Sequence, residues 1–363
     1  MNEIIIKCPI NHLSYGNISY NILRELFKSG IKTSIFPVSN KIDISTYDKT
    51  TKDFSDWIQE GVNRRYKHLE RDAPFLNIWH IAGAEERISN NSILYTFHET
   101  SGVTAQEKNI CKLYNKVIFS STYSSDNFAN SGLETCGHAN PGFDEDLYVN
   151  DSYKLNNKIH FGIMGKLENR KHTIKLIKLW IKNFGNDHNY QLSCCVVNPF
   201  LPKDHINKLK EVVFNGRNIT NVNFLEFMPK NSQVNTYLNS IDIDIGGMSG
   251  AEGWNLPSFN ATCLGKWSIV LNCTAHKDWA NKHNCILVEP NGQDNIEDGV
   301  FFTKGSEFNN GNKYSFNDED FEIALHKAID KVKNNIKNEE GLKLSKIFTY
   351  KNTLKNIIKH FDI

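Results

Sequence analysis

GGMSGAEGWNLPSFNATCLGKWSIVLN, residues Gly246–Asn272, is the most informative stretch of the chain. The run before it, Ile241–Ile245, predicts a strand, and the glycine pair that follows allows a tight turn where that strand ends. Pro257 suits the first turn of a helix, and Ser268–Asn272 predicts the next strand. A strand, a loop of small residues, a helix and a further strand form one unit of a parallel α/β sheet.

The loop between this predicted strand and helix has the features of an anion site. The N–H groups and the dipole at a helix N-terminus favour a phosphate, and small residues such as Ser249 and Gly250 let a ligand approach. Glu252 lies in the same loop, and we expect it to point into a cleft at the carboxyl end of the sheet. The alternative is that this lone acidic residue only stabilises the helix dipole.

The same alternation of short apolar runs and helical patterns occurs twice along the chain, which predicts two doubly wound α/β domains facing a cleft. The polar stretch Asn150–Asn157 is the predicted linker. We therefore expect one Rossmann-like domain at residues 1–157 and another at 158–335. The predicted strands are Ile4–Cys8, Lys32–Phe36, Leu76–Ile81, Ile93–Phe97 and Lys116–Ser120 in the first series, and Ile159–Met164, Tyr190–Val197, Val222–Phe227, Ile241–Ile245, Ser268–Asn272 and Cys285–Glu289 in the second.

Two amphipathic segments have predicted packing faces. In the helix after Ile159–Met164, the shared face is predicted to hold Ile174, Ile177, Ile181 and Phe184. The lysine-rich C-terminal segment, residues 341–363, is expected to pack its apolar stripe on the body of the protein. Peripheral contact with an anionic membrane is the alternative for that segment.

Composition describes an ordinary soluble protein. The chain has 363 residues, with 39% hydrophobic and 23% charged residues, and a net charge of +1 that argues against a dedicated nucleic-acid surface. The eight cysteines include no C-x-x-C pair, so we expect free thiols in a reducing compartment. With no predicted signal peptide or transmembrane segment, the expected location is the cytoplasm.

A second candidate site lies at FGIMGKLENRKH, residues 161–172. Lys166, Arg170 and Lys171 stand between a predicted strand and the next helix, where they can neutralise a diphosphate. As charges alone, they are more often typical of a solvated turn.

The stretch Ser249–Pro257 resembles the donor-site signature of the retaining GT-B enzymes grouped as glycosyltransferase family 4. That signature is a Glu, a Gly, an aromatic residue, a small residue and Leu-Pro, with a second Glu after seven intervening residues. The matching residues here are Glu252, Gly253, Trp254, Asn255, Leu256 and Pro257, and Asn260 takes the place of the second Glu.

The resemblance implies a role for each of these positions. Glu252 would contact hydroxyls of the transferred sugar, and Lys166 and Lys171 would bind the diphosphate beside Arg170. Asn260 would face the nucleotide ribose, where an amide offers one acceptor and one donor group instead of two acceptors. Ser249 and Gly250 would complete the donor site with the residues from Gly253 to Leu256.

Three weaker likenesses to the family lie in the first half. Gly16 matches a loop glycine that approaches the diphosphate, and His98 matches a histidine near the reacting sugar. Gly142-Phe143-Asp144 matches the Gly-x-Asp that ends the first domain. The resemblance also implies that the C-terminal helix, residues 336–363, crosses back to the first domain.

Two further patterns have simpler interpretations. Asp242 and Asp244 spell D-x-D, and two carboxylates on one face of a strand could bind Mg²⁺. The resemblance to the GT-B family places this strand behind the donor loop and implies no essential metal, so we expect no metal ligation. The basic group Arg64, Arg65, Lys67, His68 and Arg71 is expected to be a solvated face, and an anionic acceptor is the alternative ligand.

These observations predict a metal-independent, retaining glycosyltransferase of the GT-B fold. Its catalytic residues would be Glu252, His98, Lys166 and Lys171, with a nucleotide-diphosphate sugar as co-substrate and no other cofactor. Glycan, lipid, protein and modified nucleic acid all remain open as acceptors. The alternatives are a catalytically silent protein that binds a sugar nucleotide, and a GT-B sugar-nucleotide epimerase.

Overall fold

A computed structural model describes residues 1–67, 70–155 and 157–361. His68 of the basic group, Asn156 of the predicted linker, and Asp362 and Ile363 of the C-terminal segment lie outside these ranges. Within them, the strands form two parallel six-stranded sheets and one small antiparallel hairpin. No helix in these ranges is long and apolar enough to cross a membrane.

The first sheet has the strand order β2-β1-β3-β4-β5-β6. It reverses between β1 and β3, and an open α/β sheet binds ligands at such a switch point. Its elements are β1 (Glu3–Ile10), α1 (Ser14–Lys28), β2 (Lys32–Ile42), α2 (Lys52–Arg64), β3 (Phe75–Ile78), β4 (Ser92–Thr96), α3 (Ala105–Cys111), β5 (Lys116–Phe119), α4 (Thr122–Asn130) and β6 (Cys136–His138).

The second sheet has the order β12-β11-β10-β7-β8-β9 and reverses between β7 and β10. Its elements are β7 (Ile159–Met164), α5 (Thr173–Phe184), β8 (Tyr190–Cys195), α6 (His205–Phe214), β9 (Val222–Phe224), α7 (Asn231–Ser240), β10 (Ile243–Asp244), α8 (Leu256–Cys263), β11 (Trp267–Leu271) and β12 (Cys285–Val288). The chain continues with β13 (Gly292–Asn295), β14 (Asn312–Ser315), α9 (Asp318–Lys333), α10 (Glu339–Ile347) and α11 (Tyr350–Ile358).

The doubly wound α/β class is confirmed, but the sequence analysis missed three strands. The exposed hairpin strand Gly292–Asn295 is entirely polar, and Cys136–His138 is short and contains glycine. Neither strand therefore shows an apolar pattern. The predicted strand Ile241–Ile245 contracts to the two residues of β10.

The predicted packing face of α5 was wrong at one residue. Ile174 is 41% exposed, whereas Leu176 and Trp180 are fully buried. The buried arc of α5 is shifted because the helix packs against both α6 and α9.

The segment between the sheets is fixed by asparagine side chains of α7. Asn235 Oδ1 accepts the N–H of Tyr148 at 2.9 Å, and Asn239 Oδ1 accepts the N–H of Asn150 at 2.8 Å. Asn239 Nδ2 also donates to the carbonyl of Tyr148. The predicted linker therefore begins in a segment that is bonded to the second sheet's helices.

The C-terminal helix α11 packs on the core of the first sheet. Tyr350, Leu354 and Ile357 are buried in that core. Where the chain enters α11, a Cβ atom on Gly142 would lie 2.2 Å from the backbone nitrogen of Tyr350. Only glycine allows this close approach of two backbones.

Gly142→Ala should therefore weaken the docking of α11 on the first domain. We expect a loss of about 1–3 kcal/mol, the usual range for overpacking, in urea denaturation. Gly137→Ala is the matched control, because its Cβ atom would meet no atom closer than 3.4 Å. Equal stability of the two variants would contradict this account.

Candidate functional site

The candidate site lies at the switch point of the second sheet. The turn after β7 carries Lys166, Glu168, Arg170 and Lys171, and the loop after β10 carries Glu252. Because β7 and β10 are neighbours in the sheet, their carboxyl ends bring these two segments together.

The loop after β10 is anchored on the turn after β7. Gly250 donates its N–H to the carbonyl of Arg170 at 2.8 Å, and the buried Ser249 Oγ donates to the same carbonyl at 3.3 Å. A Cβ atom on Gly250 would lie 2.1 Å from the carbonyl oxygen of Tyr314. Ser249 and Gly250 thus support the loop, and their contact with a donor stays a prediction.

Glu252 is held between two cations. Its Oε2 lies 2.9 Å from Arg170 Nη1, and its Oε1 accepts a hydrogen bond from Lys171 Nζ. The side chain is only 6% exposed. Burial alone would raise the pKa of Glu252, but the charges of Arg170 and Lys171 outweigh it and hold that pKa well below its usual range. Glu252 is therefore ionised and fixed in place.

Arg170 is the centre of the charged cluster. Besides Glu252, its guanidinium faces Glu168 Oε2, which is 2.7 Å from Nε, and Glu99 Oε1, which is 3.4 Å from Nη2. Its Nη1 also donates to the carbonyl of Ala251 at 2.5 Å. Burial alone would lower the pKa of Arg170, but the three carboxylates outweigh it and raise that pKa well above its usual value.

Lys166 completes the cluster on its exposed side. Its Nζ lies 3.0 Å from Glu168 Oε1 and 4.8 Å from the ring centre of Phe301, and its side chain is 37% exposed. Within the described part of the chain, three cations thus face three carboxylates. The cations predicted to clamp a diphosphate are already paired inside the protein.

The helix after this loop begins without a capping side chain from its N-cap residue. Asn255 adopts a left-handed backbone with φ +69°, and its Nδ2 donates to the carbonyl of Gly246 instead. That amide also lies 3.0 Å from His276 Nε2, whose ring is buried. Burial lowers the pKa of His276 to about 4, so the imidazole is neutral and can accept from Asn255.

Gly253, Trp254 and Leu256 lie at the contact between the two domains. Ser120 Oγ donates to the carbonyl of Gly253 at 2.7 Å, and a Cβ atom there would lie 3.0 Å from that of Phe97. Trp254 is buried in an apolar cluster, and Leu256 packs against that cluster. These motif residues position the loop against the first domain, and their predicted role in donor binding stays a prediction.

His98 contacts a first-domain carboxylate. Its Nε2 lies 3.6 Å from Glu107 Oε1, its ring meets Phe128 edge-on, and the side chain is buried. Glu107 also accepts the N–H of Asn309 at 2.8 Å, from the segment between β13 and β14. It is the next residue, Glu99, that reaches the Arg170 cluster.

Gly16 and Asn260 have different surroundings. Gly16 lies in the first turn of α1, where a Cβ atom would be 2.2 Å from the carbonyl oxygen of Asn11. Internal packing therefore requires this glycine, and its approach to a diphosphate stays a prediction. Asn260 lies inside α8 and is 8% exposed. Within the described residues its buried Oδ1 has no hydrogen-bond partner.

The two aspartates of the D-x-D pattern are bonded within the protein. Asp242 Oδ2 accepts the N–H of His160 at 3.0 Å, and Asp244 Oδ1 accepts that of Gly246 at 3.0 Å. Burial raises the pKa of Asp244 to about 6. In the described ranges, no three His, Cys, Asp or Glu side chains are grouped to hold a metal ion.

Sequence reasoning missed Glu99, Glu168 and His276. Glu168 stands between the predicted cations, and Glu99 follows the singled-out His98. Their positions were therefore indicated, but their pairing with Arg170 requires the fold.

Glu252→Gln tests the charge of the cluster. The folded-state pKa of Glu252 lies below the unfolded value of about 4.3, so the ion pairs stabilise the fold fully above that value. This stabilisation is lost as pH falls through the folded pKa. We expect the variant to be less stable by about 3–5 kcal/mol at neutral pH, and the difference to shrink below about pH 4.

Urea denaturation over this pH range measures the difference. Glu86→Gln is the control, because the Glu86 side chain is 88% exposed. A loss for Glu252→Gln that is independent of pH would show that the ion pairs do not cause it.

The chain is similar along its whole length to solved glycosyltransferase structures. Sucrose-phosphate synthase from Thermosynechococcus elongatus matches with a TM-score of 0.69 and 10% identity, over 99% of this chain and 98% of that one. HepE from Anabaena, in complex with UDP and glucose, matches with a TM-score of 0.65 and 13% identity, over 99% of both chains. A glycosyltransferase from Rickettsia africae matches with a TM-score of 0.60 and 13% identity, over 98% of this chain and 97% of that one.

The sequence itself matches no family model and no curated protein. At 10–13% identity, the structural likeness establishes the fold. Both six-stranded parallel sheets with their covering helices take part in it. The chain therefore has the GT-B fold, in which two Rossmann-like domains face a central cleft.

Proposed function

We propose that the chain is a retaining glycosyltransferase, resembling family 4, that moves a sugar from a nucleotide-diphosphate donor to an acceptor hydroxyl. The observation that carries this proposal is the pairing of Glu252 with Arg170 and Lys171 at the switch point of the second sheet. A buried, ionised carboxylate at that position can accept hydrogen bonds from sugar hydroxyls. The GT-B fold supports the same reaction class.

A UDP-sugar is the first donor to consider, because HepE was solved in complex with UDP-glucose. In our proposal, Lys166 and Lys171 bind the diphosphate beside the N-terminus of α8, and Asn260 faces the ribose. Lys166 is the cation that a ligand in solvent reaches most readily, because its side chain is more exposed than that of Lys171. The diphosphate must compete there with Glu168.

In the proposed reaction, the acceptor oxygen bonds to the anomeric carbon from the face that the phosphate leaves. The bond from that carbon to the diphosphate breaks, the electron pair goes to the diphosphate, and a phosphate oxygen takes the hydroxyl proton. Negative charge then grows on the leaving group, where Lys166, Lys171 and the helix dipole stabilise it. No metal ion is required, and the eight unpaired thiols support a reducing, cytoplasmic location.

A catalytically silent sugar-nucleotide-binding protein is the second candidate. It is supported by the neutral charge of the Arg170 cluster, which offers less attraction to a diphosphate than three unpaired cations would. Measuring turnover separates the two candidates, because a silent protein binds the donor without cleaving the bond between the sugar and the nucleotide.

Lys166→Ala and Lys171→Ala should each lower kcat/KM by about ten- to a thousandfold, the range for one contact to developing charge. Folding should survive, because Glu168 and Glu252 both keep Arg170 as a partner. The assay is nucleotide release from UDP-glucose and a panel of other nucleotide sugars, with an acceptor panel of p-nitrophenyl glycosides.

Lys208→Ala is the matched control, since Lys208 is exposed on α6 and pairs with Asp204. Donor binding without turnover in the wild type would favour the silent protein. Wild-type rates in both cleft variants would place the diphosphate elsewhere.

Asn260→Glu tests the proposed ribose contact. A carboxylate accepts two hydrogen bonds from a diol, so UDP should bind more tightly by about 1–2 kcal/mol. Calorimetry with UDP and with deoxy-UDP measures the effect, which should be smaller for the deoxynucleotide. A well-folded variant with unchanged affinity for both would show that Asn260 does not face the ribose.

A further inference from the structure

Glu99 is the first domain's contribution to the Arg170 cluster among the described residues. It follows β4 at the carboxyl end of the first sheet, and its Oε1 lies 3.4 Å from Nη2 of Arg170 in the second domain. Its contact with Arg170 therefore spans the cleft between the two sheets.

Glu99 is also the most accessible carboxylate of the cluster. Its side chain is 28% exposed, compared with 3% for Glu168 and 6% for Glu252. Arg170 meets it at a longer distance than it meets the other two. Glu99 thus keeps acceptor capacity that a ligand in the cleft can use.

The backbone around Glu99 is held on both sides. The carbonyl of His98 accepts a hydrogen bond from Ser124 Oγ at 2.6 Å, and that of Thr100 accepts from Asn127 Nδ2 at 3.3 Å. Both donors belong to α4, so this helix fixes the backbone from which the Glu99 side chain extends, and Arg170 orients its carboxylate. A group held in this way can select a ligand by geometry.

The charges around Glu99 favour a hydrogen-bond donor as its partner. Burial raises the pKa of Glu99, the charges of Glu252 and Glu168 add to that rise, and Arg170 and Lys166 oppose it. A carboxylate in these surroundings gains from a hydroxyl donor, because its two carboxylate neighbours disfavour the bare charge.

We propose that Glu99 is a specificity-determining residue that binds an acceptor hydroxyl next to the one that attacks the sugar. This inference rests on the proposed transferase function. Glu99 accepts a hydrogen bond from that neighbouring hydroxyl and takes no proton in the reaction. The proton of the attacking hydroxyl goes to the phosphate oxygen, as written above.

Glu99→Gln separates this role from simple charge balance. With UDP-glucose, or the donor that the screen identifies, and the best p-nitrophenyl glycoside, we expect the acceptor kcat/KM to fall about ten- to a hundredfold. The ratio of transfer to donor hydrolysis should fall with it. UDP should bind as tightly as before or more tightly, because the variant removes a negative charge from the cluster. Glu99→Asp, which keeps the carboxylate, should recover part of the transfer rate.

A set of monodeoxy p-nitrophenyl glycosides supplies the decisive measurement. With the wild type, one deoxy acceptor should have a lower kcat/KM than its parent acceptor. With Glu99→Gln, the same deoxy acceptor and its parent should have equal kcat/KM. Glu86→Gln is the control and should leave every value unchanged.

Other outcomes overturn the inference in distinguishable ways. Unchanged acceptor kcat/KM with altered UDP affinity would show that Glu99 only balances Arg170. Loss of transfer and hydrolysis together, with an inverted product by NMR, would make it a general base. Absence of turnover of every donor by the wild type would refute the proposed function itself, before any variant is compared.

Discussion

The buried guanidinium of Arg170 is the interaction on which the candidate site depends. A charge taken out of water is costly unless opposite charges and hydrogen bonds surround it. Arg170 has Glu168 from its own turn, Glu252 from the loop after β10, and Glu99 from the other domain. The same side chain donates to the carbonyl of Ala251, beside Glu252. The need to compensate one charge thus fixes three separate segments relative to one another.

This compensation changes the electrostatics that the sequence suggested. The sequence predicts a cationic patch formed by Lys166, Arg170 and Lys171. In the fold, each of these cations lies next to a carboxylate. A neutral site attracts an anion less at long range, so the proposed binding of a diphosphate would rely more on directed hydrogen bonds than on net charge. The N-terminus of α8 can supply such hydrogen bonds. Its N-cap residue does not cap it, because the Asn255 side chain contacts Gly246 and His276 instead.

The fold and the position of the candidate site were predictable because both depend on local patterns. Apolar runs alternating with helical patterns identified the two sheets, and the spacing around Glu252 identified the loop that meets Lys171. Glu99 was not predictable as a partner of Arg170, because nothing in sequence spacing states which loops meet across two domains. The strand Gly292–Asn295 was missed for another reason, since only backbone hydrogen bonds to Asn312–Ser315 define it.

Among the described residues, Glu99 is the carboxylate of the Arg170 cluster that comes from the other domain. Separating the domains removes Glu99 from Arg170, yet leaves the two nearer and less exposed carboxylates, Glu168 and Glu252, in place. Other contacts between the domains are both apolar, such as Phe97 against the Trp254 cluster, and polar, such as Ser120 to Gly253 and Asn140 to Asp278. Water can replace the polar contacts at modest cost, whereas exposing the apolar ones is unfavourable, so the apolar contacts hold Glu99 near Arg170. The guanidinium therefore has two carboxylate partners within its own domain, and its third partner depends on the contact between the domains.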